Sequence, residues 1–213
     1  MNVKYLYDPP KVIKLIYSNF LWNTKNNEIL LTFDDGPNPE TTEKLLELLK
    51  VSNIKALFFC LGENVKKYPD LCQRIIDDGH TVGNHTFSHK RINEVSKNEI
   101  IEEIRNTNIL LSELFDYQIK YFRPPHGRIT LATTKIMNEV KLVNVMWSLL
   151  TWDYKGNYKT VKKSITKYLR NNSIVVMHDS NKTKNIFIDS VRLLVDEVKK
   201  NNYKFGESEN CLK

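Results

Sequence analysis

The sequence predicts an α/β fold, a (β/α) barrel of about seven parallel strands, TIM-like in plan. Three observations carry this. Short apolar runs alternate with longer amphipathic stretches along the chain, and such repeats imply a parallel sheet with right-handed crossovers. The 213 residues suit one domain with a sizeable core. The residues best able to do chemistry (Asp34, Asp35, His85, Arg123, Asp153 and His178) each follow an apolar run. Periodicity alone also fits an open doubly wound sheet. An open sheet would gather only neighbouring strand ends, whereas a barrel brings all of them to one face, so the placement favours the barrel.

Taken in order, residues 1–28 read as an N-terminal extension and 29–213 as the main domain. "PPKVIKLIYSNFLW" predicts a short amphipathic helix with proline in its first turn; Ile13, Ile16, Tyr17 and Phe20 would pack on the domain. Strands are predicted near 29–33, 55–61, 80–84, 119–122, 142–147 and 173–177, with a seventh at 202–205. Between them, "PETTEKLLELLKVS" and "KNEIIEEIRNTNILLSELF" carry apolar residues at helical spacing. "DLCQRIIDDG" closes on the helix-stop residue Gly79, and "IFIDSVRLLVDEVKKNN" ends in lysines that suit a helix C-terminus. No long linker, low-complexity segment or internal repeat interrupts the series.

Composition narrows the class. Net charge is +7, with lysines spread in singles and pairs, which reads as a solvated basic surface or as attraction to an anionic polymer such as a cell-wall glycan. No zinc-finger spacing, glycine-aromatic RNA signature or basic heptad helix supports nucleic acid as a partner. Cys60, Cys72 and Cys211 form no CxxC pair and imply no disulfide framework; Cys60, inside "ALFFCLG", reads as a core residue. No apolar run approaches a membrane span. Pro9-Pro10, Lys11 and Lys14 spoil a secretion signal, so a reducing, cytoplasmic location is the expectation. Oligomeric state is not legible.

The chemistry concentrates in a few motifs. "LTFDDGP" ends an apolar run with adjacent carboxylates, Asp34 and Asp35, which repel unless a positive group sits beside them. Simple capping of the Gly36-Pro37 turn is the plain alternative. His85 and His89 in "HTFSH" stand four apart, a spacing that lets two imidazoles share a metal, although surface histidines often show it too. Two histidines and a carboxylate make a recurrent catalytic metal set, which leaves the second aspartate free as a base. "RPPHG" is a stiff turn whose Arg123 can fix a carboxylate or can simply lie on the surface. "IVVMHDS" places His178 at a strand end, and "MWSLLTWDY" supplies Asp153, which can orient it; a structural histidine and a turn aspartate are the alternatives.

Together these segments resemble the polysaccharide deacetylases of carbohydrate esterase 4 type, which share the NodB homology domain. The resemblance runs in order through "TFDDGP", "HTFSH", "RPPHG", "WSLLTWDY" and "VVMHD", from about residue 29 onward, and "LFFCLGENV" fits it too. It implies a distorted barrel with fewer than eight full units, and a divalent metal, zinc as the expected ion, on Asp35, His85 and His89. It further implies Asp34 as general base held by Arg123, His178 as general acid steered by Asp153, and the His126 backbone N–H as an oxyanion donor. The implied reaction is removal of acetyl groups from N-acetylated amino sugars or glycans. Pro125, Trp147, Trp152, Tyr154 and Val176 are the expected substrate contacts. Three departures bear on substrate fit: His126 replaces an aromatic residue, Leu150 and Tyr154 replace an acid and a tryptophan, and Val176 replaces a leucine. Hydrolysis of another amide or cyclic imide, or glycan binding without turnover, are the competing readings.

Overall fold

In the computed structural model residues 7–213 are described, and β1 (Leu30–Asp34) sets their plan. Side chains alternate along a strand. Leu31 and Phe33 face the helices, while Leu30, Thr32 and Asp34 face the concave interior. β2 (Leu57–Cys60) sends Phe58 and Cys60 outward and Leu57 and Phe59 inward. β7 (Ile174–His178) repeats the pattern, with Val175 and Met177 outward and Ile174, Val176 and His178 inward. Because both faces are covered, these strands read in sequence as continuous apolar runs.

β3 (Thr81–Asn84), β4 (Tyr121–Phe122), β5 (Val143–Asn144) and β6 (Leu149–Leu150) complete a seven-stranded parallel sheet in the order β5-β4-β3-β2-β1-β7-β6. The two edge strands are consecutive in the chain, with only residues 145–148 between them. The sheet must therefore curl until its edges approach, which gives an incomplete barrel. The predicted class and strand number hold, but the membership differs. Segment 202–205 makes only an isolated bridge, Ile29 to Phe205. The predicted strand 142–147 stops at Asn144, because the N–H of Val145 donates to Phe122 and that of Met146 turns away to Leu21. The chain then re-enters beside β7 as β6.

The helices are α1 (Lys11–Ile16), α2 (Thr42–Val51), α3 (Gly62–Lys67), α4 (Pro69–Asp77), α5 (Lys97–Phe115), α6 (Thr133–Val140), α7 (Tyr158–Tyr168), α8 (Phe187–Lys200) and α9 (Ser208–Cys211). Ser96 caps α5 by accepting the Glu99 N–H, as Asn157 caps α7 through Thr160. At the N-terminal end of the strands, Cys211 and Leu212 pack with Leu30, Leu57, Tyr121 and Ile174 and close that mouth. The opposite mouth, at the strand C-termini, stays open. Phe20, Ile13 and Tyr17 join the core as predicted, but Ile16 does not. The helix ends there after six residues, and Ile16 lies on the outer side with Val12 and Leu15. All three cysteines are free and buried. Among the described residues no helix is long and apolar enough to cross a membrane.

Candidate active site

The last residue of β1, Asp34, turns its carboxylate to the open mouth, and Arg123 holds it from behind through a 2.8 Å bond from Nη1 to Oδ1. Arg123 follows β4 and is fully buried. Burial pulls its pKa down and Asp34 pulls the other way. Each nitrogen of its fork is engaged: Nε on the Val145 carbonyl, Nη2 on that of Met146, and Nη1 also on Thr32 Oγ1. The guanidinium lies 4.2 Å above the Phe59 ring, so neither charge nor stem is left exposed to the core. One oxygen of Asp34 is thereby fixed in place.

Asp35 adopts φ 79° and also reaches the mouth. Asn64 of α3 secures this bend by donating to the Asp35 carbonyl at 2.7 Å. Asp35 Oδ1 lies 3.3 Å from His89 Nε2 and 3.7 Å from His85 Nε2. It is buried and has no hydrogen-bond partner among the described residues. His85 Nδ1 donates to the Arg123 carbonyl at 2.7 Å, because a carbonyl can only accept, and this leaves Nε2 with its lone pair toward Asp35. Burial pushes the His85 pKa down to about 4, so the ring is neutral at pH 7, as a metal ligand must be. The three ligand atoms lie within 4.8 Å of one another. An orphaned buried carboxylate oxygen facing two imidazole nitrogens fits a divalent cation of nitrogen and oxygen preference.

His178 ends β7 in register with Asp34 on the adjacent strand. Its Nδ1 donates to Asp153 Oδ1 and its backbone N–H to Oδ2, both at 2.7 Å. Asp153 is fully buried and also accepts the Tyr154 N–H. Burial opposes charge on His178, but Asp153 outweighs it and raises the pKa to about 9. At neutral pH the ring is an imidazolium with Nε2–H left for the cavity. Tyr154 stands edge-on to this ring and stacks on Trp152.

These groups line one cavity of about 360 Å³. Asp34, Asp35, His85, His89, His126, Trp147, Trp152, Tyr154, Val176 and His178 all open onto it, with Arg123 and Asp153 behind. Pro125 does not line it; the proline is buried in the turn, whose Gly127, at φ 60°, lies so close to the Trp147 indole that a Cβ would come within 2.1 Å. No described residue accepts the His126 N–H, while Gly127 and Arg128 donate within the turn.

Sequence reasoning passed over several supporting residues. Glu103 of α5 accepts the N–H groups of Phe87 and Ser88 and the Ser88 hydroxyl, and so anchors the loop between the two histidines. Its signal was a carboxylate on the helix stripe of Ile100, Ile104, Thr107 and Leu111 that faces the core. Asp179 accepts the hydroxyls of Thr41 and Thr42 and abuts Gly36, where a Cβ would meet Oδ2 at 2.5 Å. Burial raises the Asp179 pKa to about 6 against those two hydrogen bonds. Arg91, Arg128 and Lys182 complete the cavity rim.

Comparison with known proteins agrees with this geometry. The profile of the family described as polysaccharide deacetylase matches residues 22–145. A peptidoglycan-N-acetylglucosamine deacetylase of Bacillus cereus is 39% identical over 154 residues, covering 72% of this chain and 56% of the relative. The peptidoglycan-N-acetylglucosamine deacetylase PgdA of Listeria monocytogenes is 33% identical over 181 residues, covering 84% of this chain and 38% of the relative. The chain thus spans about half or less of the length of these two relatives. A solved peptidoglycan N-acetylglucosamine deacetylase, in complex with a naphthalenyl N-hydroxybenzamide, superposes with a TM-score of 0.83 at 33% identity, covering 88% of this chain and 90% of that one. Motifs, curled parallel sheet and family profile coincide, and the chain belongs to the polysaccharide deacetylase family of carbohydrate esterase 4 type, which shares the NodB homology domain.

Proposed function

We propose that the chain is a metal-dependent hydrolase that removes the acetyl group from N-acetylated amino sugars of a glycan. The relatives' names support the reaction class. One observation carries the mechanism. A carboxylate tied to a buried arginine and an imidazolium tied to a buried aspartate stand in register on adjacent strands, beside a cluster of three ligands.

An amide is a poor electrophile and its amine a poor leaving group, so hydrolysis needs activation at both ends. A divalent cation, with zinc as the expected ion, held by Asp35, His85 and His89 would supply Lewis-acid chemistry at the carbonyl and toward water. Asp34 accepts the proton of the attacking water, and its tether to Arg123 keeps it aimed. The His126 N–H donates to the developing oxyanion, a class of interaction worth roughly 3–4 kcal/mol. His178 Nε2–H then protonates the departing amine, and Asp153, bonded to Nδ1 on the other side of the ring, keeps the imidazolium oriented until then. Val176, Leu150 and the rings of Trp147, Trp152 and Tyr154 form the walls of the acetyl and sugar site.

The test is acetate release from a panel of N-acetylated sugars and oligosaccharides, with zinc and with a chelator. Release that the chelator abolishes supports the reading. Zinc binding and glycan affinity without release from any member would overturn it in favour of a binding module.

A further inference from the structure

A charge taken out of water destabilises the fold unless an opposite charge meets it, so a buried carboxylate is expected to face a cation. Among the described residues five carboxylates are buried: Asp8, Asp34, Glu103, Asp153 and Asp179. Four of them obey. Asp8 pairs with Lys14 and Arg170, Asp34 with Arg123, Glu103 with Lys90, and Asp153 with His178. Asp179 pairs with no cationic side chain among the described residues; its oxygens accept the hydroxyls of Thr41 and Thr42. Proton transfer between Asp34, water and His178 gives it no part.

Its place ties it to the three-ligand cluster. The Asp179 N–H donates to the Asp34 carbonyl at 2.8 Å, and a Cβ on Gly36 would come within 2.5 Å of its Oδ2. Gly36 directly follows Asp35, whose Oδ1 is buried and meets the imidazoles of His85 and His89. Asp179 therefore lies against the turn that carries Asp35. Burial raises its pKa to about 6 despite the two hydroxyl bonds, and Asp35 adds repulsion. At pH 8 it is an anion held near another anion.

The charges around the cavity leave a remainder. Asp34 cancels Arg123, and Asp153 cancels the imidazolium of His178. The rim residues Arg91, Arg128 and Lys182 are exposed, where water and salt screen them. Two negative charges remain, on Asp35 and Asp179. His85 and His89 are neutral as ligands, so one divalent cation balances both. We infer that Asp179 is the second carboxylate of the cation site: it stands outside the ligand set and supplies, from behind the Gly36 turn, the negative charge by which Asp35 alone falls short of a divalent ion. This rests on the cation site of the proposed function and adds to it a residue that sets how tightly the ion is held.

The probe is zinc alone, titrated at pH 8 in competition with a chromophoric chelator, on the native chain and on Asp179→Asn, Asp179→Ser and Thr41→Val. Thermal unfolding of each in excess chelator is read in parallel. Both neutral variants should bind zinc roughly tenfold more weakly, the lower end of what groups outside the ligand set contribute. Asp179→Ser removes the same charge with a smaller side chain, so the comparison survives if one of the two fails to fold. Thr41→Val keeps the charge and loses one hydroxyl donor to it; its zinc affinity should stay within about twofold of native. A carboxylate whose pKa is raised on folding weakens the fold once ionised, so in chelator Asp179→Asn should melt no lower than the native chain. Zinc affinity within about twofold of native in the neutral variants, with a lower melting temperature, would assign Asp179 to the turn alone and overturn the inference. An equal loss of zinc affinity in Thr41→Val would overturn it too, since shape and not charge would then be the cause. No zinc binding by the native chain would refute the cation site itself and this inference with it.

Discussion

Replacing Asp153 by asparagine should uncouple stability from pH in a defined direction. In the native chain Asp153 holds His178 as a cation against the pull of burial, and raises its pKa from 6.5 to about 9. A pKa raised on folding adds stability that is fully present below the unfolded value near 6.5 and is lost as pH climbs through 9. At about 1.4 kcal/mol per unit the contribution is about 3 kcal/mol. The His178 side chain is 14% exposed and Asp153 wholly buried, so solvent screens this pair little. In Asp153→Asn only Asp35 and Asp34 still oppose the burial effect, and the His178 pKa falls from its native value. The variant should be less stable than wild type at pH 6, and the gap should close by about 3 kcal/mol between pH 6 and pH 9.5. Urea unfolding of both chains in chelator, where no cation competes, measures this. Parallel stability curves across that window would refute the coupling.

In the zinc-loaded chain Asp34→Asn should lose roughly 10²–10⁴-fold in turnover while zinc affinity stays within a few-fold, as acetate release and zinc titration will show. His89→Ala removes one of the three proposed ligands found among the described residues and should abolish stoichiometric zinc binding, read by calorimetry. Glu103→Gln should weaken zinc by roughly tenfold, because the 86–88 loop loses a charged acceptor for three donors; unchanged affinity would show that the loop holds itself. Gly127→Ala forces a Cβ into the Trp147 ring at φ 60° and should lower stability by about 2 kcal/mol in thermal unfolding.

Much of the site was legible because strand ends write it into the chain. An apolar run that stops at Asp34, or at His178, announces both the strand and the mouth it points to. Long α5 was readable to the residue, since nineteen residues of helical spacing leave little ambiguity. The short strands were not. β5 and β6 have two residues each, too few for any period to show, and "MWSLLTWDY" hides the second of them. The segment at 202–205 has strand-like composition but finds only one partner. Residues that act at a distance in sequence, such as Asp179 with Thr41 and Thr42, leave no local pattern, because 138 and 137 positions separate donors from acceptor. Pro125 was expected as a contact only through the resemblance. The turn buries it, since a proline with no N–H loses nothing by facing inward.

Adjacent carboxylates at the end of β1 pose a geometric problem as well as an electrostatic one. Alternation along a strand sends neighbouring side chains to opposite faces, so Asp34 and Asp35 could not both reach the mouth from regular β structure. The left-handed backbone at Asp35 breaks the alternation and brings the second carboxylate round. The same device recurs at Thr86, His89, His126 and Trp152, at φ values of 56–69°. The other non-glycine residues of positive φ are mostly helix ends occupied by asparagine, aspartate or lysine, namely Asn53, Asp116, Lys141 and Asn202, where such a backbone is the usual way to stop. At the site no helix end demands it, and threonine, histidine and tryptophan are poor choices for that region, each costing roughly 1–3 kcal/mol. That cost is borne at three of these bends by side-chain hydrogen bonds: Asn64 at Asp35, Asn84 at Thr86, and Thr86 at His89. The barrel supplies a ring of strand ends, and the strained turns after them aim side chains inward that regular strands would have sent away.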